Sequence, residues 1–167
     1  MPQFLGISSG CQMRTLSEHF TLNELTHSDV AARLGIENKP DAATIENLRA
    51  LCIDILEPLR SAISRSLFVS SGYRSVVLNT AVNGSKSSDH ILGFAADVVA
   101  PPMSVRALAE AVKTLAPYVP LKQCIIEFGR WVHVSRIAPG KERENDPQFL
   151  VASLDDNGAT IYRSWEA

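Results

Sequence analysis

Apolar residues at Ile45, Leu48, Cys52, Ile55 and Leu59 recur at alternating three- and four-residue steps, the stripe of a helix with one buried face. Pro58 lies inside that stripe and is expected to kink or end the helix, because it lacks a backbone donor and crowds the carbonyl four residues earlier. Ahead of it, Leu22 and Leu25 suit a short helix capped by Thr21 or Ser17, and 38–41 reads as a loop. Residues 67–70 form a short apolar run closed by Ser71 and Gly72, a strand with a turn after it. Residues 75–82 predict another helix, and the serine-rich stretch 83–88 a polar loop.

Past His90 the period shortens. Residues 95–100 predict a buried strand stopped by Pro101 and Pro102. Ser104 is placed to cap a helix with Val105, Leu108, Ala109, Val112 and Leu115 on its inner face, and Pro117 and Pro120 bracket its exit. Residues 124–128 and 131–135 read as two strands around Gly129 and Arg130, a hairpin signal. Residues 149–154 and 159–162 flank Asp155, Asp156, Asn157 and Gly158, a second hairpin signal, with a solvated charged loop at 139–147 before it. Helices first and strands later predict an α+β fold, a small antiparallel sheet packed against helices from the N-terminal half.

Composition narrows the class. The 167 residues are 46% hydrophobic and 20% charged, enough for one core and too apolar for a mainly disordered chain. Residues 17–167 predict a single domain behind an irregular lead-in at 1–16, with Met13 as an alternative start. Residues 1–12 lack the basic and apolar regions of a secretory signal, and no apolar run reaches the roughly 20 residues of a membrane span. A net charge of −2 carries no nucleic-acid footprint. Cys11, Cys52 and Cys124 are too few and scattered for a disulfide framework, and Cys52 and Cys124 read as small core residues. A monomer without nucleic-acid or membrane partners is the expectation.

Four histidines carry the candidate chemistry. His19 and His27 lack ligand partners at suitable spacing and read as surface or capping residues. His90 follows the polar loop, and Gly93 permits a bend that lets His90 and Asp97 converge. His133 alternates with Val132 and Val134, which face the other way along a strand. Two imidazoles and a carboxylate are donors that Zn²⁺ accepts, and three protein ligands leave a fourth position open, as in catalytic zinc sites.

Ser88, His90, Gly93, Ala95 and Asp97 resemble the S-x-H-x-x-G-x-A-x-D signature of the M15 family of zinc peptidases. That family includes D-Ala-D-Ala carboxypeptidases, dipeptidases and phage peptidoglycan endopeptidases. The segment from Ser71 through Tyr73 and Arg74 to Ser75 is similar to the family's S-G-Y-R segment, and 131–135 to its second histidine strand. The resemblance runs in family order from about Phe20 to Ser135. It implies one Zn²⁺ per chain held by His90, Asp97 and His133, and hydrolysis of peptide bonds in peptidoglycan stem peptides. One departure stands out: several members place an acid three residues before the second histidine, where this chain has Arg130. Arginine cannot serve as a base. Glu127, at the end of the preceding strand, is taken as general base and acid, brought beside the His133 strand by the hairpin turn. Asp89 is read as solvated in the polar loop, pointing away from the metal.

Arg74 is the candidate cation for the oxyanion or a substrate carboxylate, against a plain salt bridge. Ser88 either binds substrate or fixes its loop. Tyr73 and Trp131 pack first, with Tyr73 also a candidate substrate contact. The leading expectation is a phage or prophage endolysin-like peptidase that is made in the cytoplasm and acts on the cell wall after release. The alternatives are a bacterial D-Ala-D-Ala carboxypeptidase or dipeptidase, and a non-catalytic zinc-stabilised cell-wall-binding or virion module.

Overall fold

The computed structural model describes residues 14–141 and 146–165. The lead-in positions 1–13, Cys11 and Met13 among them, and 142–145 of the charged loop lie outside the described residues. The packed chain starts before residue 17: Thr15 bridges to Thr21, and Leu16 is buried.

The first helix, α1 (Leu22–Thr26), is closed by a capping box. Glu24 N–H donates to Thr21 Oγ1 at 3.3 Å, and Thr21 N–H donates to Glu24 Oε2 at 2.8 Å. Thr21 is therefore the cap, and Ser17 instead donates to Glu57 Oε1 at 2.7 Å. A second short helix, α2 (Asp29–Leu34), follows where the apolar pattern predicts none. The apolar stripe forms α3 (Ala42–Leu51), then a π-helical turn at Cys52–Leu56, then α4 (Glu57–Ile63). Pro58 does not end this run. The widened turn bonds Glu57 N–H to Cys52 O, so that Pro58 falls in the first turn of α4, where a missing donor costs least.

Strand β1 (Phe68–Ser71), α5 (Val76–Ala81), β2 (Ala95–Val99) and α6 (Val105–Leu115) follow, then β3 (Leu121–Glu127), β4 (Trp131–Arg136), β5 (Gln148–Leu154) and β6 (Thr160–Ser164). They make the expected α+β fold, whose six-stranded sheet runs β1-β2-β4-β3-β5-β6. It is antiparallel except for β3 and β5, which pair in parallel with Ile125 opposite Leu150. β4 runs antiparallel to β3 and ends where β3 begins, and β5 starts at that same end, so it runs in the same direction as β3.

Alternation divides the sheet into two faces. Ala96, Val98, Cys124, Ile126, Val132 and Val134 join Leu48, Ile55, Leu59, Leu108 and Val112 in one buried cluster between sheet and helices. Each large aliphatic side chain so buried contributes about 1.5–3 kcal/mol. The helix layer is drawn from both halves of the chain, since α6 joins the N-terminal helices. Burial also pushes the Cys52 and Cys124 thiols up to about 12, as befits inert core residues. No described helix is long and apolar enough to cross a membrane. The opposite sheet face carries Asp97, His133 and Glu127.

Candidate metal centre

His133 on β4 sits in register with Asp97 on β2 and with Ile125 on β3, so the first two side chains stand side by side on one face. His90 reaches them from the loop before β2. Gly93 makes that approach possible: its φ is +74°, and a Cβ there would lie 2.9 Å from Thr44 O. His90 Nε2 lies 3.2 Å from both Asp97 Oδ1 and His133 Nδ1, and His133 Nδ1 lies 2.9 Å from Asp97 Oδ1. All three residues are buried.

The hydrogen bonds around His90 assign its ring. Nδ1–H donates to Gly72 O at 2.6 Å, which leaves the Nε2 lone pair aimed at the other two ligand atoms. Gly72 is itself fixed by crowding, because a Cβ there would lie 2.3 Å from Leu25 O at the end of α1. Burial alone would raise the Asp97 carboxyl, but the His90 and His133 imidazoles overcome it and hold the group well below the usual carboxylate range. Acceptor atoms packed this closely need a cation or extra protons between them. Zinc bonds of about 2.0–2.1 Å at tetrahedral angles would separate ligand atoms by roughly 3.3 Å. The donor set and its spacing therefore fit Zn²⁺. Among the described residues, this is the only group of three or more metal-ligating side chains with its donor atoms gathered together.

Arg74 does not stand free. Its Nη2 donates to Asp97 Oδ2 at 2.7 Å and lies 3.3 Å from His90 Nε2, while Nε donates to Ser71 Oγ at 3.1 Å. The guanidinium thus grips the carboxylate oxygen that does not face the histidines. Ser88 Oγ accepts from His90 N–H at 3.4 Å, which fixes the loop, and the residue also lines the cleft. Tyr73 packs its ring against the core while lining the same cleft. Asp89 is ion-paired with Lys122 Nζ, 2.8 Å from each of its oxygens, rather than solvated.

Glu127 pairs across the hairpin with Trp131, on the same face as His133 two residues further along β4. Trp131 Nε1–H donates to Glu127 Oε2 at 2.9 Å. Arg130, the departure from the family pattern, turns outward and stacks over the Trp131 ring at 5.5 Å. The triad, Arg74 and Glu127 all line one cleft of about 1010 Å³. His19 and His27 stay outside the cluster but do have carboxylate partners, Glu57 Oε2 at 2.8 Å and Asp29 Oδ1 at 3.0 Å.

Two residues that matter here escaped the sequence reading. Asn38 clamps the chain on both sides of Arg74: its Nδ2 donates to Thr26 O at 2.8 Å and Tyr73 O at 3.0 Å, and Oδ1 accepts from Ser75 N–H at 2.7 Å. Lys122 ties the loop that carries His90 to β3 through Asp89. Nothing local marks either residue, since their partners are distant in sequence.

A mostly antiparallel sheet whose open face gathers two histidines and an aspartate at the floor of a cleft defines a protein able to hold one metal ion through three side chains. The family model for peptidase M15 matches residues 18–135, which include all three. The chain belongs to the peptidase M15 family. No curated protein matches it.

Proposed function

We propose that the chain is a zinc-dependent hydrolase of peptidoglycan stem peptides, of the endolysin-like type, with one Zn²⁺ on His90, Asp97 and His133. The observation that carries the reading is the convergence of three buried ligand atoms at 2.9–3.2 Å in the cleft that Glu127 also lines.

Zinc, when bound, supplies Lewis acidity and brings the pKa of coordinated water toward ~7. The protein's own groups do the rest. Glu127 takes a proton from the attacking water and returns it to the leaving nitrogen. Trp131 Nε1–H occupies Oε2 and leaves Oε1 for that proton. Arg74 holds Asp97 through Oδ2, which keeps Oδ1 turned to the histidines, and offers its positive charge to the oxyanion side of the cleft. Ser88 and Tyr73 contact the substrate along the wall.

Digestion of purified peptidoglycan tests the reading, with the new chain ends identified by mass spectrometry. Zinc-loaded protein is expected to release new amino and carboxyl ends within the stems, and chelation to stop it. Intact sacculi after incubation with zinc-loaded protein would overturn the proposal. Trimming of terminal D-alanine alone would replace it with the carboxypeptidase alternative.

A further inference from the structure

The family match ends at residue 135, yet the cleft floor does not. β5 and β6 extend the site face by two strands, in two rows of which one starts at the candidate metal ligands and the other at Trp131 and Glu127. One row runs from Asp97 through His133 and Ile125 to Leu150. The next runs from Trp131 through Glu127 and Ala152 to Tyr162. Leu150, Thr160 and Tyr162 line the same cleft as the triad.

This extension is held firmly from behind. Phe149 and Trp165 meet edge to face, with ring centroids 6.0 Å apart, on the helix side of the sheet. Arg106 lies 4.8 Å over the Trp165 ring, and Lys113 lies 5.2 Å from it, so that α6 staples the hairpin. The junction with the metal site is also specified. Phe128 adopts φ +53° in the three-residue turn between β3 and β4, a conformation that bulky side chains avoid. Its ring meets Trp131 edge to face at 6.0 Å and lines the cleft beside Glu127. Strain of this kind persists where the surrounding structure enforces it, often at functional sites.

The chemistry of the shelf is uncharged. Phe128, Trp131, Leu150, Thr160 and Tyr162 offer rings, an aliphatic floor and hydroxyls. Burial, and then the nearby Glu127 charge, push the Tyr162 phenol up, so it stays neutral. Glu127 itself repels anionic groups at the boundary. The cations of the cleft sit elsewhere and are engaged, Arg74 with Asp97 and Lys122 with Asp89.

We infer that the β5–β6 hairpin, with Phe128, is an extended substrate subsite that binds an uncharged, small-aliphatic stretch of the peptide beyond the scissile bond. The inference rests on the peptidase reading and deepens it: a shelf continuing past the metal site suits a chain that runs on, as in an endopeptidase substrate.

The test uses peptides around the bond identified by mass spectrometry. One carries a single residue on each side of that bond, and two others add two alanines at one end or the other. For the wild-type, zinc-loaded protein, one of the two extensions is expected to raise kcat/KM by about tenfold or more, as remote binding energy is used at the reacting centre. Tyr162→Ala and Leu150→Lys are expected to abolish that gain and to leave cleavage of the shortest peptide within about twofold of wild type. Equal cleavage of all three peptides by the wild type would overturn the inference. So would equal losses on short and extended peptides in both variants, which would mark the hairpin as structural only. Cleavage of none of the three peptides by the wild type would overturn the inference too, whereas intact sacculi in the digestion that identifies the bond would overturn the peptidase reading itself.

Discussion

Gly72 O and Arg74 orient the candidate ligand atoms. The first takes the Nδ1 proton of His90, and the second takes Oδ2 of Asp97, so that one nitrogen lone pair and one carboxylate oxygen are left facing His133. His133→Ala removes one of three donors, and zinc measured after dialysis is expected to fall well below one per chain while the fold persists. Retention of stoichiometric zinc would remove His133 from the site. Glu127→Gln preserves size and the acceptor for Trp131 Nε1–H but not the proton shuttle. Its zinc content should match wild type, with turnover down by about 10²–10⁴-fold, the usual loss for a general acid–base group. Wild-type turnover in Glu127→Gln would move the role elsewhere. Asp89 is a poor substitute while Lys122 holds both its oxygens. The grouping of His90, Asp97 and His133 was legible from the chain because His90, Gly93 and Asp97 sit in one short segment and His133 alternates with valines. The Arg74–Asp97 bond was not, because it joins residues 23 apart through the register of β1 and β2, with an irregularity between Val69 and Ser71.

The elements that deliver these side chains meet at close backbone approaches. The clearest is Gly72 against the end of α1. Gly72→Ala would press a methyl onto Leu25 O, and backbone must move to relieve it. Destabilisation of about 1–3 kcal/mol is expected, the range for overpacking. Because the moving group is also the acceptor for His90 Nδ1–H, zinc affinity should fall with it. Unchanged urea midpoint and zinc affinity would show that α1 yields freely. A second tie joins residues 17–19 to α4: Ser17 Oγ and His19 N–H both donate to Glu57 Oε1. Burial alone would raise the Glu57 carboxyl, but these bonds and the His19 ring bring it below its ordinary value. The unfolded chain therefore binds this proton more readily. The tie stabilises the fold above the unfolded pKa of about 4.3 and is lost as pH falls through the lower folded value. Glu57→Gln should flatten the acid side of the stability–pH curve, and an unchanged slope there would refute the link. Most elements could be read from period and caps. α2 could have been, since Ser28 accepts from Ala31 N–H and Gly35 closes it with φ +64°. The π-helical turn and the parallel entry of β5 could not, because each answers to long-range packing rather than to local pattern.

At the scale of the molecule, the core and the candidate metal site lie on opposite faces of one sheet, which separates stability from metal loading. The buried cluster between sheet and helices contains none of the three candidate ligands. A chain of this size buries roughly 68–70% of its unfolded surface, so the apo protein is expected to stay folded, unlike small zinc-dependent modules. Bound zinc still stabilises by mass action: at a free concentration 100 times the dissociation constant the gain is about 2.7 kcal/mol. For a protein of this length each kcal/mol moves Tm by about 2–4 °C, so chelation should lower Tm by about 5–11 °C. Near-UV circular dichroism at 25 °C should change little, since neither tryptophan is a ligand and Trp165 packs on the far face. Zinc re-addition should restore Tm in step with its concentration. Loss of the near-UV signal on chelation at 25 °C would mean that the metal organises the core as well as the site. An unchanged Tm at saturating zinc would mean that the three ligands do not form a zinc site at all.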